Sequence, residues 1–432
     1  MKTLSFVLSF LFATSSLAVA QFPEVMEIPI SAEANGIGDI AASIPSSNAM
    51  ATIANPAQLG IFSLSGIFNA STYVNKTPWL GGAKYTGTDF TLNASAANVG
   101  INLGRYLDLP MGCSIGAGYS RAYFDEGSPT WYTYNNGVFD SAGSSPEWQK
   151  QENYTIGIGI DWLIKLGLGY SFETVNLEEG GYYDTTTGIY SLPGKTNVHS
   201  FGVMVQIPVA EIVSRLADQQ IMLTPKLRPT LDINLGYARR NIGDEWVRIG
   251  SNYGAGLVPR SATLGLNFEI GLKTTVQGRD WNLFSLTWAR EAEDVLVDYS
   301  YFSQGVFTYE SGLGDIEPFN NLVLGKHNAD VILRKGWQVQ LAELVYIRGG
   351  SDGGGWTYYV SGTYYTFGAS VALDGLIKTL GAFDIVDIQN GTFAFLVDHL
   401  DLQYDYSRYS SGQPLAAGLN GTTFKAINLV IK

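Results

Sequence analysis

Strict alternation of apolar and polar or tiny residues over long stretches is the feature that most limits what this chain can fold into. Tyr154, Ile156, Ile158 and Ile160 alternate with Thr155, Gly157, Gly159 and Asp161. After a short turn, Leu166, Leu168, Tyr170 and Phe172 alternate with Gly167, Gly169, Ser171 and Glu173. Leu231, Ile233, Leu235 and Tyr237 do so with Asp232, Asn234, Gly236 and Ala238, and Leu264, Leu266, Phe268 and Ile270 with Gly265, Asn267, Glu269 and Gly271. Leu400, Leu402, Tyr404 and Tyr406 alternate with His399, Asp401, Gln403, Asp405 and Ser407. Successive side chains of a strand point to opposite faces, so each stretch is a strand with one apolar face.

A soluble sandwich alternates too, and two observations favour a membrane barrel. The apolar faces end in Tyr, Phe or Trp, as an interfacial aromatic girdle requires, while the opposite faces carry Gly, Asn and Ser beside the charges, suiting a crowded or wet lumen. Only 15% of the 432 residues are charged, against about 25% in ordinary soluble chains, yet there are 50 Gly, 25 Tyr, 21 Phe and 9 Trp. Past the leader, no apolar run approaches the roughly 20 residues of a membrane helix. Backbone groups in lipid must all be paired, so such strands need a closed barrel.

The fold expected is therefore all-β: a transmembrane antiparallel β-barrel of about 14 strands, with short rim helices and a small N-terminal plug-like segment. Further strand segments fall at 61–74, 88–104, 112–124, 199–207, 281–290, 337–348, 357–372, 392–398 and 423–431. Gly/Asn/Ser/Pro-rich stretches at 125–150, 176–198, 303–330 and 408–422 are expected as exterior loops. Pro208 followed by Val209, Ile212, Val213 and Leu216 has helical spacing and predicts a rim helix, with 373–380 a second candidate.

Residues 1–20 read as a signal peptide: Lys2, the apolar Leu4–Phe12 run and Ala18-Val19-Ala20 before Gln21. Gln21 is not Cys, so no lipid anchor is expected. The barrel would occupy 21–432, with 21–55 as the plug segment, in a bacterial outer membrane. A formal charge of −13 argues against nucleic acid or an anionic membrane surface as partner. The single Cys113 leaves an exported chain without an internal disulfide, which fits that membrane better than a eukaryotic secreted domain.

No catalytic machinery, metal site or cofactor is expected. His199, His327 and His399 are far apart, and no phosphate-cradling loop or nucleophile elbow occurs. The run Gly349-Gly350-Ser351-Asp352-Gly353-Gly354-Gly355 reads as a hairpin loop. Glu178-Glu179 and Glu291/Glu293/Asp294 read as solvated strand ends. Asp232, Glu269, Asp401 and Asp405 would face the lumen, with Arg239, Arg240 and Arg260 as partners, either tuning a pore or bracing a filled interior.

Several motifs resemble one group of barrels. Gly36-Ile37-Gly38 followed by Asn55-Pro56-Ala57-Gln58-Leu59 resembles the "G-x-G … N-P-A-G-L" start of FadL-like and PorV/PorQ-like proteins, with Gln58 at the usual Gly. Asn241-Ile242-Gly243, then Val258-Pro259-Arg260 to Thr263-Leu264-Gly265, resembles the PorV/PorQ "N-[L/I]-G … L-P-x-x-x-R-L-G" run, with Thr263 at the usual Arg. Lys335-Gly336-Trp337 to Ile347-Arg348-Gly349-Gly350 resembles the family's "G-x-E … [I/L]-R-x-G-Y" hairpin. The resemblance covers scattered pieces of 35–380. It implies a FadL-type barrel of about 14 strands and a non-catalytic receptor or scaffold for proteins exported by the type IX secretion system. Its partners would be outer-membrane lipid, secreted proteins and secretion-channel subunits. The competing expectations are a FadL-like transporter of hydrophobic small molecules, against which the polar inward faces count, and a purely structural envelope barrel.

Overall fold

The computed structural model describes residues 23–78, 90–128, 130–135, 138–184, 188–244, 246–249, 253–298, 308–327, 331–353, 363–411 and 421–432. The expected signal peptide therefore lies outside the described residues.

Fourteen strands form the barrel: β1 (Phe68–Tyr73), β2 (Thr91–Asn102), β3 (Gly112–Gly127), β4 (Glu147–Asp161), β5 (Lys165–Asp184), β6 (Gly188–Pro208), β7 (Arg228–Gly243), β8 (Ser261–Val276), β9 (Arg279–Val295), β10 (Val331–Leu341), β11 (Val345–Asp352), β12 (Tyr364–Ala372), β13 (Leu400–Ser411) and β14 (Thr423–Ile431). Each pairs antiparallel with its neighbours in sequence, and β14 closes on β1 from Phe68↔Ile431 to Tyr73↔Ala426. Closure leaves no free edge, as hydrocarbon demands.

The exposed face is apolar. Ile156, Ile158, Leu168, Tyr170, Leu235, Ile270, Trp288, Trp337, Phe367, Val371, Leu402 and Ile427 all point outward, while the residues between them are buried or half-buried. A closed barrel with such a belt is built for lipid, and this is the construction of an outer-membrane protein. Among the described residues no helix is long and apolar enough to cross a membrane. The tight connections 162–164, 277–278 and 342–344 share the end where β1 begins and β14 finishes. In such barrels the tight-turn end is periplasmic and the longer connections face the exterior.

Two helices meet the expectation: α1 (Val209–Leu216) after Pro208, and α2 (Leu373–Ala382). Other boundaries differ, for identifiable reasons. The stretches 125–150 and 176–198 are mostly strand. β3 runs to Gly127, a hairpin of Thr130–Asn135 with Val138–Ser144 follows, and β5 and β6 pair as far as Asp184↔Gly188. Above the membrane the outer face is free to be polar, so the apolar alternation fades while the hydrogen-bond ladder continues. β5 has 20 residues, about twice the 9–11 that span a bilayer. The segment 392–398 is helix α3 (Gly391–His399) rather than strand; a short apolar run does not separate the two periods. The segment 337–348 is a hairpin, turning at Ala342 and Glu343 with φ of 55° each and no glycine to announce it. The segment 61–74 is strand only from Phe68. Gly349–Asp352 belongs to β11 rather than a loop, and Gly349 lies beneath the Trp337 ring. Of 303–330, residues 308–327 hold the strand Thr308–Tyr309 and the helical turn Phe319–Val323. Residues 303–307, 328–330, 357–362 and 412–420 lie outside the described residues.

Candidate functional site in the barrel lumen

Residues 24–66 run through the barrel interior, from the exterior half toward the periplasmic end. At the upper end, Val25 N–H donates to Gln149 Oε1 at 3.1 Å; at the lower, Ile67 N–H reaches Ile431 O at 2.9 Å. The wall makes room for this segment with glycine. Gly100, Gly116, Gly157, Gly169 and Gly202 stand directly opposite one another on β2 to β6. A β-carbon on Gly169 would overlap Pro56, and one on Gly202 would overlap the Asn55 side chain. Gly236 meets Ala42, Gly265 meets Ser43, and Gly336 and Gly350 meet Ile37 in the same way. The glycines on the inward phase are thus the imprint of a packed lumen.

The segment is also stitched to itself and to the wall by hydrogen bonds. Asn55 Nδ2 donates to Ala42 O at 2.7 Å and Asn55 Oδ1 accepts from Ala57 N–H at 3.0 Å. Gln58, where the resembled motif has glycine, donates to Ala41 O at 2.8 Å and Ile44 O at 2.7 Å and accepts from Ser46 N–H at 3.1 Å. It joins the two legs of the segment. From the wall, Asn267 Nδ2 donates to Ser43 O at 2.9 Å and Ser114 Oγ to Gly60 O at 3.0 Å.

Two ionic networks lock the centre. In the first, Arg334 on β10 reaches Glu293 at 2.5 Å, Asp352 at 3.2 Å, Asp39 at 3.5 Å and Glu291 at 3.6 Å. Arg240 pairs with the other oxygen of Glu293. Glu291 Oε2 accepts the N–H groups of Ala42 at 2.9 Å and Ala41 at 3.3 Å, so a wall carboxylate holds the segment's backbone. Asp352 and Glu291 thus share one guanidinium with Asp39 and Glu293. In the second network, Arg348 on β11 is 1% exposed. It donates to Gln338 at 2.5 Å and Ser370, and pairs with Glu33 at 3.3 Å and Asp405 at 3.5 Å. Asp405 also accepts from Gln403 at 2.7 Å and from Asn428. Each guanidinium spans the gap between wall and segment, where low dielectric makes an unpaired charge costly.

Beside the first network lies a cavity of about 80 Å³, lined by Asp39, Arg240, Asn241, Glu291, Glu293 and Arg334 among others. That is room for a few waters bridging polar groups. Higher up the inward faces turn apolar: Leu92, Phe124, Leu177, Tyr364, Tyr409 and Phe424 are buried with Val25, Met26, Ile28 and Ile30 of the segment. The expectation of uniformly polar inward faces is corrected here, because the sequence segments that carried it all lie in the lower half.

Glu291, Glu293 and Asp294 are buried, not solvated strand ends: Glu291 and Glu293 face the lumen, while Asp294, on the opposite phase of the strand, is covered from outside by Gly314 and Asp315. Glu178 accepts Trp148 Nε1–H at 2.8 Å outside the barrel, and Glu179 lies in β5. Asp232 and Glu269 stand opposite each other on β7 and β8, with Lys273 the cation that acts on both. Asp401 faces the Lys432 and Asp374 region at the periplasmic end. Of the expected cationic partners, only Arg240 joins a buried carboxylate among the described residues. Arg239 is on the outward phase and donates to Glu310 O at 3.3 Å. Arg260 donates to Gly243 O at 2.6 Å and stacks 3.6 Å from the Tyr309 ring centroid. Arg334, Asp39 and Glu33 lie outside the motifs and alternating segments that drew attention in the sequence, and Asp352, expected in a loop, is a lumenal strand residue. Arg334 could have been found, since it holds the inward phase of Arg334, Gly336, Gln338 and Gln340.

The resembled motifs acquire geometry. Asn241 sits at a bulge with φ +60°, and its Nδ2 donates to Pro259 O at 2.6 Å. The two halves of that motif are thus bonded to each other. For a cation, Asp294, Glu310 and Asp315 place carboxylate oxygens within 4.8 Å of one another, a hard-cation donor set; Asp294 already accepts Asp315 N–H at 2.5 Å.

No protein-family model matches the sequence, and no curated protein matches it. Solved structures do. The Pseudomonas putida toluene transporter TodX is 13% identical, with 92% of this chain and 96% of that one covered and a TM-score of 0.38. A Pseudomonas aeruginosa FadL homologue is 10% identical over 93% and 96%, with a TM-score of 0.38. The β domain of the Bordetella autotransporter BrkA is 9% identical over 85% and 99%, with a TM-score of 0.34. Likeness at this level transfers no function, which has to come from the chain's own residues.

Proposed function

We propose that this protein is a non-catalytic outer-membrane receptor or scaffold that works through its rim and outer surface, in the manner of PorV/PorQ proteins serving type IX secretion. The observation that carries the reading is Glu291 holding the backbone N–H groups of Ala41 and Ala42 inside a wall whose glycines are matched to the segment. A lumen closed by that many specific contacts favours a braced barrel over an open pore. The ordered motifs around Asn55, Asn241, Pro259 and Arg348 favour this family over other barrels.

A second reading, passage of a hydrophobic small molecule, has one observation in its favour. The apolar upper lumen around Phe124, Tyr364, Tyr409 and Phe424 packs on the chain's own Val25, Met26, Ile28 and Ile30. Copurification from detergent-extracted membranes, with mass spectrometry, separates the two. The receptor reading expects exported proteins sharing a C-terminal β-domain, or secretion-channel subunits. Recovery of the barrel alone, with fatty acid or another apolar molecule extractable from it, overturns that reading in favour of the second.

A further inference from the structure

On the exterior half of β3 to β6, strand register places outward side chains in rows. The aromatic row Tyr119, Tyr154, Phe172 and His199 is continuous across four strands, with Tyr119 and Tyr154 rings 5.4 Å apart. It marks where acyl chains give way to headgroups. Above it come Arg121, Glu152, Thr174 and Asn197, then Tyr123, Lys150, Asn176 and Lys195, then Asp125, Trp148, Glu178 and Pro193. At ~3.4 Å per residue and a tilt of about 40°, each residue climbs ~2.6 Å, so on its own strand each of these residues stands roughly 5, 10 or 16 Å above that strand's girdle residue.

A groove of about 680 Å³ opens on this wall, lined by Trp148, Asn176, Glu178, Lys195, Asn197 and Asp244. Its volume is that of a small-molecule site. Trp148 stacks on Tyr123, with centroids 6.0 Å apart and planes at 23°, and Glu178 fixes its indole N–H at 2.8 Å. The ring is thereby a rigid apolar platform amid amides and carboxylates. Sugars present the complement: an apolar ring face for stacking and hydroxyls for Asn, Glu and Asp. Lys195 makes no salt bridge among the described residues and is the cation of the groove's lining; Arg121 stands on the same wall outside that lining, its guanidinium 5.7 Å from the Tyr123 centroid.

We propose that this groove binds the phosphorylated saccharide headgroup of an outer-leaflet glycolipid, with Trp148 as the stacking platform and Lys195 on phosphate. The position selects the occupant. A lipid-anchored headgroup is what meets the outer wall 5–16 Å above an aromatic girdle by the same geometry. The site is on the outside of the barrel and does not depend on the receptor reading.

The test uses the full barrel in nanodiscs, titrated with rough lipopolysaccharide carrying inner-core sugars, with lipid A lacking them, with free inner-core oligosaccharide and with phosphatidylglycerol. Rough lipopolysaccharide is expected to bind at least tenfold tighter than the other three, and Trp148→Leu and Lys195→Glu each to weaken it about tenfold. Heat-modifiable gel mobility checks that both variants remain folded. Equal binding of lipopolysaccharide and phosphatidylglycerol overturns the proposal, as does binding that neither folded variant changes. Free oligosaccharide binding as tightly as the glycolipid overturns the lipid-anchored occupant and assigns the groove to a soluble glycan.

Discussion

Gly169 on β5 and Pro56 of the inner segment meet backbone to backbone, with no room for a side chain between them. Replacing Gly169 by Val is expected to overfill the lumen, costing about 1–3 kcal/mol or more and loosening residues 24–66. Proteinase K digestion in detergent would show early cleavage within that segment. Deleting the segment should restore the folded yield of Gly169→Val, which it would not do if the glycine mattered only to the strand.

Arg334 touches four carboxylates, so Arg334→Met leaves buried acids without their cation. Breaking such a buried pair costs on the order of 3–5 kcal/mol. Urea unfolding followed by heat-modifiable mobility should show the loss, and adding Asp352→Asn, whose carboxylate pairs with Arg334, should recover part of it. Full additivity of the two changes would show that they do not interact.

Asn241 combines a left-handed backbone with the hydrogen bond to Pro259 O. Asn241→Ala should lose both, destabilising by about 1–3 kcal/mol. Asn241→Gly should recover the conformational part and keep the hydrogen-bond deficit. Chemical unfolding of both variants decides it: equal losses would mean that backbone strain contributes nothing.

Amino-acid order alone determined the architecture. Alternation on β4, β5, β7, β8 and β13 needs only local geometry, because the period of a strand is written in successive residues. The count of fourteen strands followed from chain length and spacing, and α1 and α2 from Pro208 and helical spacing. The hairpin at Ala342-Glu343 and the helix α3 were invisible, one lacking turn residues and the other too short to show its period.

What only the tertiary structure decided is which inward residues meet. The same strand period that turns Arg334 and Glu293 inward says nothing of the segment that arrives between them about 250 positions away in sequence, as Ala41 does at Glu291 (separation 250). The inward glycines fitted a wet lumen or a crowded one equally well until Pro56, Asn55 and Ala42 were found against them. Charge pairing across a barrel depends on register and closure, which are set by the whole sheet, and so the partners of Asp405 and Glu291 came from the fold.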